Sequence, residues 1–184
     1  MLWKWIVFAV GSAGLIYVSW TSLKNPRSHG FYRFFAWEAI LGLFLLNVGS
    51  WFVEPFAWHQ CISWVLLFAC VVPVVWGTIL LKRAGKPAEV REQDPNLLAF
   101  EKTTRLVTSG IYKHIRHPLY SSLLLLAWGI FFKLPSLAGG ALAVFATVCL
   151  VLTARADEGE CVRFFGSQYE AYMKTTRRFI PFIF

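Results

Sequence analysis

The 184-residue chain has few charged residues, only 15%, whereas 57% of its residues are hydrophobic and its mean hydropathy is +0.55. This excludes an average soluble domain, which carries about 25% charged residues. The four cysteines form no C-x-x-C pair, so the sequence indicates neither a disulfide framework nor a zinc site, and we expect no metal. A G-x-G-x-x-G dinucleotide fingerprint, internal repeats and low-complexity tracts are also missing.

The sequence contains several long apolar runs. Crossing the hydrocarbon core takes about 20 apolar residues. Spans are predicted at residues 3–20, 31–53, 61–81, 118–134 and 137–154, of which the fourth is short. The first run is interpreted as a helix and not as a signal peptide, since further spans follow it. We therefore predict an all-α integral membrane protein with about five transmembrane helices.

The predicted organisation is a single membrane domain. It comprises three spans (1–81), a cytoplasmic connection (82–117), a helical hairpin (118–154) and a cytoplasmic tail (155–184). In the tail, Gly166 is predicted to end a helix, and Ser167 with Glu170 is predicted to form a capping box for a short amphipathic helix. That helix would carry Tyr169, Tyr172 and Met173 on one face.

Basic residues concentrate in three of the connecting segments. Sixteen of the 18 lie in the first loop, the third connection and the tail, which five spans place on one side. Lys4 and Lys133 fall on the other. The N-terminus should therefore be outside and the C-terminus cytoplasmic, in what we expect to be a bacterial inner membrane. The net charge of +8 is thus interpreted as topological, so membrane lipids, and not nucleic acid, are the expected partners. The sequence gives no indication of oligomeric state.

The most polar and basic stretch runs from residue 106 to 120, LVTSGIYKHIRHPLY. Arg116, His117 and Pro118 stand where the fourth span begins, and a helix N-terminus beside an arginine favours anions. Glu158 lies about one turn beyond the fifth span, so a hairpin would bring it to the level of Arg116. An acid facing a basic helix end suits a zwitterionic ligand. A plain Arg116–Glu158 ion pair that locks the hairpin is the alternative.

The same stretch carries a family resemblance. GIYKHIRHPLY resembles the G-x-Y-x-x-x-R-H-P-x-Y signature of the isoprenylcysteine carboxyl methyltransferase and phospholipid methyltransferase superfamily of membrane enzymes. A second signature, E-E, F-G-x-x-Y-x-x-Y and T-x-R-x-[IF]-P, is similar to a set of tail residues. These are Asp157-Glu158, Phe165-Gly166, Tyr169, Tyr172, Thr176, Arg178 and Pro181, with Asp157 where the family usually has Glu.

The resemblance implies a methyltransferase that uses S-adenosylmethionine. The acceptor would be a lipidic or prenylated small substrate, such as an isoprenylcysteine-like carboxylate or a phospholipid amine, and a thiol acceptor also stays open. The cofactor-binding residues implied by position are Gly110, Tyr112, Arg116, His117, Pro118, Tyr120 and Glu158. An amine acceptor must first lose a proton, for which His117 and Tyr120 are candidates. Arg178 is the candidate to orient an anionic substrate group, or else to cap the tail helix.

Glu38 is a further candidate for the catalytic site, because a carboxylate inside a span is costly and functional by default. With Asn47 it is predicted to line a polar pocket for a substrate head group, unless it pairs with Arg33 or Arg27. Two rival functions stay open. One is a membrane NADPH-dependent enzyme similar to sterol reductases, and the other is a non-catalytic membrane scaffold.

Overall fold

A computed structural model describes residues 2–85 and 103–181. Its helices are α1 (Leu2–Leu23), α2 (His29–Asn47), α3 (Trp58–Ala84), α4 (Pro118–Phe131), α5 (Leu137–Phe165) and α6 (Ser167–Thr175), with 3₁₀ turns at Val48–Ser50 and Gly110–Lys113. Within these described ranges the extended pairing is limited to one isolated bridge, between Ile115 and Arg177. The prediction of an all-α membrane-type fold is confirmed.

Four of the described helices are long and apolar enough to cross a membrane: α1, α2 with its 3₁₀ extension, α3 and α5. The predicted fourth span, α4, has only 14 residues. At 1.5 Å per residue it is about 21 Å long, short of the roughly 30 Å hydrocarbon core. Its length follows from the turn at 132–136, which leads directly into α5, so α4 is the shorter arm of a hairpin.

The core of the bundle lies between α2 and α5. Ala36, Ala39, Ala143 and Ala146 are buried there, and such small side chains let two helices approach closely. In α2 and α5, 44% and 39% of the most apolar window is buried, against 11% in both α1 and α3. The apolar surfaces of α1 and α3 are therefore available to lipid, and α2, α4 and α5 form the interior.

Two predictions for the tail, a helix end at Gly166 and a capping box at Ser167, have different outcomes. The helix that contains the predicted fifth span, residues 137–154, continues beyond it to Phe165, where the sequence predicted a helix stop. Gly166 ends it with a positive φ of 59°, a conformation that favours glycine, as predicted. The capping box is wrong: Ser167 is already helical, the N-cap of α6 is Gly166, and no side chain caps that end.

The bundle has two ends. At one, called the site end, lie the segments 24–28, 103–117 and 158–181, joined by hydrogen bonds such as His29 N to Glu160 Oε1 at 2.9 Å and Thr104 N to Gly85 O at 3.1 Å. The turns at 48–57 and 132–136 form the far end. The structure thus places the described parts of the three basic segments together. That this end is cytoplasmic stays a prediction.

Candidate functional site

The two sequence motifs meet along a short stretch of paired backbone at the site end. Arg116 N donates to Arg177 O at 2.7 Å, His117 N to Arg178 O at 3.1 Å, and Arg177 N to His114 O at 3.1 Å. These bonds hold the residues that begin α4 beside the tail that follows α6. Side chains 60 residues apart in sequence therefore project into the same volume.

Glu158 is the centre of this volume and is almost fully buried. Arg116 approaches it through Nε and Nη2, each 2.9 Å from Oε1, and Arg178 Nη2 lies 2.7 Å from Oε2. The side chain of Glu158 is 5% exposed, against 24% for Arg178. The Arg116–Glu158 ion pair considered from the sequence is thus present. Since both carboxylate oxygens are occupied, the role of Glu158 in cofactor binding stays a prediction.

Arg116 also closes the C-terminal end of α6. Its Nη1 donates to Met173 O at 3.1 Å and to Thr176 O. Cations near the last carbonyls of a helix satisfy acceptors that have no partner within the helix. The sequence suggested Arg178 for this capping, whereas the described contacts of Arg178 run to Glu158. A single arginine therefore couples the start of α4 to the tail helix.

His117 is buried between two carboxylates. Its Nδ1 lies 3.5 Å from Asp157 Oδ2, its Nε2 lies 3.4 Å from Glu158 Oε1, and its ring stacks on Tyr120 at 5.3 Å. Burial lowers the pKa of His117, but hydrogen bonding and the negative charges of Asp157 and Glu158 outweigh it and raise the pKa above its ordinary value. This favours a protonated donor over the proton acceptor considered from the sequence.

A cavity of about 100 Å³ opens beside these groups. Its polar wall is formed by Arg116, His117, Tyr120 and Asp157, its aromatic wall by Tyr112, Phe165, Tyr169 and Tyr172, and its apolar rim includes Leu81, Leu106, Val107 and Leu119. Pro118 and Cys161 also line it. Polar, aromatic and apolar surfaces thus converge on one space, the usual composition of a small-molecule site.

The acid that reaches this cavity is Asp157, which the sequence did not single out as a ligand. Its side chain is 22% exposed, and Tyr120 Oη donates to its Oδ2 at 3.1 Å. Neighbours on a helix point about 100° apart, so Asp157 faces the cavity where Glu158 faces the two arginines. The adjacency of the two acids in sequence could not tell which one would face the ligand.

Gly110 and Pro118 position the motif against α3. Gly110 has φ +59°, and a Cβ there would lie 2.6 Å from Leu80 Cδ1, so a larger residue would be strained and would clash. A Cβ at Gly77 would lie 3.1 Å from Pro118 Cγ. Pro118 occupies the first turn of α4, as the sequence predicted. Gly110 and Pro118 therefore fix the distance between the motif and the end of α3.

Glu38 lies away from this cavity. Ser12 Oγ of α1 donates to its Oε2 at 2.7 Å. Asn47 is nine residues further along α2, about 13 Å by helical rise, and its Nδ2 donates to Ile130 O at 2.9 Å. The structure therefore does not bring Glu38 and Asn47 into one pocket, and none of the described contacts pairs Glu38 with Arg27 or Arg33. A catalytic role for Glu38 stays a prediction.

Glu160 anchors the start of α2. One of its oxygens accepts from His29 N at 2.9 Å, and the other lies 2.7 Å from His29 Nδ1. A carboxylate at a helix N-terminus is favourable because the backbone N–H groups there have no helical partner. His29, Asp157 and Glu160 also bring possible metal-ligand atoms within 4.8 Å of one another, a grouping that the sequence did not suggest.

Comparison with known families agrees with the motifs. Residues 95–168 match the family described as phospholipid methyltransferase. No curated protein and no solved structure matched the chain. The match contains the motif before α4, the α4–α5 hairpin, both acids and the Gly166 helix end. The resemblance to the isoprenylcysteine carboxyl methyltransferase and phospholipid methyltransferase superfamily is thereby confirmed over residues 95–168.

Proposed function

We propose that the protein transfers a methyl group from S-adenosylmethionine to a lipidic or prenylated small substrate that reaches the cavity from the bilayer. The observation that carries the proposal is the convergence of one acid, one arginine, one histidine and five aromatic rings on one cavity at the end of a membrane bundle. The family match supports methyl transfer, and the identities of cofactor and acceptor rest on the chemistry of the walls.

The residues that line the cavity fit the cofactor by their chemistry. Asp157 offers a carboxylate to an ammonium, Arg116 and His117 offer donors to a carboxylate, and the aromatic wall offers faces to an adenine ring and a sulfonium. Glu158 serves this site indirectly, because it fixes Arg116 and Arg178. We infer that Asp157 takes the cofactor-binding role that the resemblance implied for Glu158.

The bound cofactor would supply an electrophilic methyl group, and the protein would supply orientation and exclusion of water. Tyr120 and His117 hold Asp157 through its Oδ2. The tail helix closes one side of the cavity through Tyr169 and Tyr172, and the Tyr172 hydroxyl donates to Tyr112 O at 2.6 Å. These contacts make a site that is preorganised before any ligand enters.

A lipidic acceptor is supported by the apolar rim. Leu81 belongs to α3, the helix whose apolar window is only 11% buried, and Leu119 belongs to the first turn of α4. The cavity therefore adjoins a helix that faces lipid. A substrate that kept its chain in the bilayer would present its head group at the level of Arg116 and Asp157. Arg178, 24% exposed, is our candidate to orient an anionic group of that substrate.

The first test is binding of S-adenosylhomocysteine to the detergent-purified full chain by calorimetric titration. Loss of a charge-assisted hydrogen bond costs about 1.5–3 kcal/mol, so Asp157→Asn should weaken binding about tenfold or more. The same substitution should leave 5′-methylthioadenosine, which lacks the amino-acid moiety, almost unaffected. Exposed Glu170→Gln, on the same end, is the matched control and should bind both ligands like the wild type.

Three outcomes would count against the proposal. A folded wild-type chain that binds no S-adenosylhomocysteine would overturn methyl transfer, and NADPH binding in its place would favour the reductase-like alternative. Equal losses for both nucleosides in Asp157→Asn would overturn the assigned contact alone.

The acceptor class can be separated chemically. Labelled methyl groups transferred into lipid extracts should partition into the organic phase. Mild base releases methanol from a carboxyl methyl ester, whereas an N-methyl group withstands it. Organic-phase label would support a lipidic substrate, and its base lability would identify a carboxylate. Label confined to the aqueous phase would contradict entry from the bilayer.

A further inference from the structure

The surface of the site end carries an excess of positive charge that the cavity does not use. Ten basic side chains are exposed there, against Glu170 as the exposed acid among the described residues of that end. We call these ten the basic collar: Lys24, Arg27, Lys82, Arg83, Arg105, Lys113, Arg155, Arg163, Lys174 and Arg177. Residues 86–102 carry four acidic and three basic residues, too little imbalance to offset this excess.

The collar is distributed over the loop after α1, the last turn of α3, the segment that precedes α4, the C-terminal part of α5, and α6 with the residues that follow it. Arg105 and Lys113 lie on the segment that precedes α4 and forms one side of the cavity, whereas Arg163 and Lys174 lie on α5 and α6, which form the other side. Fixing topology needs basic residues near span ends, but it does not require them to surround a cavity.

Exposed apolar side chains are interleaved with the collar. Phe164 is 42% exposed beside Arg163, and Ile180 is 51% exposed shortly after Arg177. Basic residues alternating with exposed apolar ones are typical of segments that lie in the interface of an anionic membrane. At the far end, by contrast, Glu54 is exposed and Lys133 is completely buried. The two ends therefore present different surfaces to the head groups on their side.

We propose that the basic collar binds the head groups of anionic phospholipids in the adjoining leaflet and concentrates them around the cavity mouth. Charge complementarity is the basis, because clustered Lys and Arg side chains at a membrane surface attract anionic lipids. In a bundle that crosses a bilayer through α3 and α5, the collar would lie where these helices leave it. This inference does not depend on methyl transfer and would hold for any activity of the cavity.

The test uses the full chain reconstituted into phosphatidylcholine bilayers with spin-labelled lipids. Electron paramagnetic resonance measures how strongly labelled phosphatidylglycerol and labelled phosphatidylcholine associate with the protein. We expect at least a twofold preference for phosphatidylglycerol at low salt. The preference should approach unity in 1 M salt, since the screening length falls from about 10 Å at 0.1 M to about 3 Å.

A pair of variants separates charge from structure. Replacing Lys24, Lys82, Lys113 and Lys174 together by Gln should reduce the preference by half or more, and replacing the same four by Arg should preserve it. No preference in the wild type, or an equal preference in the Gln variant, would overturn the proposal. Should the Gln variant not fold, the salt dependence of the wild type decides: a preference unchanged by 1 M salt would contradict an ionic collar.

Discussion

Both ends of the bundle bury a cation, but they neutralise it differently. At the site end, Arg116 and Arg178 meet the carboxylate of Glu158. At the far end, Lys133 is fully buried with its Nζ 3.3 Å from the centre of the Trp64 ring and 5.2 Å from that of Trp51. Its nearest described polar partner is the Gln60 amide oxygen at 3.0 Å.

The two ends differ in whether their buried charges are accessible to a ligand. Lys133 is enclosed by aromatic faces and one amide, so its ammonium group is not accessible to a ligand. The Nε2 of the same amide, Gln60, donates to Lys133 O and to Ser50 O. The site end instead collects charges of both signs beside a cavity, where some of them stay accessible. Its ionic groups can therefore exchange partners with a ligand, whereas the far end holds the turn at 132–136 against α3.

The largest effect should follow removal of the central acid. Glu158→Ala leaves two guanidinium groups facing each other in a buried space, and breaking a buried pair in this way costs about 3–5 kcal/mol. The melting temperature in detergent should fall sharply. Glu170→Gln, which removes an exposed acid, should melt like the wild type. A Glu158→Ala chain with wild-type stability would show that the arginines find other partners.

At the far end, Lys133→Met should have a smaller effect. It removes a cation–π contact of about 2 kcal/mol when desolvated and leaves the Gln60 oxygen without its described donor, about 1–3 kcal/mol. Lys4→Met, at the same end, is the control. Ligand binding distinguishes the two ends further, because the folded Lys133→Met chain should bind S-adenosylhomocysteine with the affinity of the wild type. A large loss of affinity would mean that the two ends are coupled.

The pH dependence of stability should arise at the site end. His117 has a raised pKa in the folded chain because of Asp157 and Glu158, so its protonated form is stabilised by folding. That contribution is fully present below the unfolded pKa of about 6.5 and is lost as the pH rises through the folded pKa. The melting temperature of the wild type relative to His117→Gln should therefore be higher at pH 6 than at pH 9. A constant difference would indicate a neutral imidazole.

The smallest effect is expected where the tail helix touches the motif. Tyr172→Phe removes the hydrogen bond to Tyr112 O while it preserves the ring, at a cost of about 1 kcal/mol. A modest decrease in melting temperature should accompany faster proteolysis after α6. Tyr17→Phe, on the exposed face of α1, provides a control for loss of a hydroxyl. Identical proteolysis of both variants would show that α6 is held by its other contacts.

Patterns in the sequence were enough to predict the helical membrane fold, the hairpin and the meeting of the two motifs. Hydropathy predicts spans because backbone groups in lipid must be satisfied within helices, and the five predicted spans place the basic segments on one side. The sequence also predicted a helix end at Gly166, because only glycine adopts a positive φ easily. These properties depend on the composition of short stretches and on the number of predicted spans between the basic segments.

Which partner each polar group takes depends instead on how the helices pack. Adjacent Asp157 and Glu158 look equivalent in sequence, yet the rotation of α5 turns one to the cavity and the other to two arginines. In the same way Lys133 was predicted as a flanking charge and is enclosed by Trp64. Such choices depend on the relative rotation and depth of packed helices, which side-chain packing sets across distant parts of the chain.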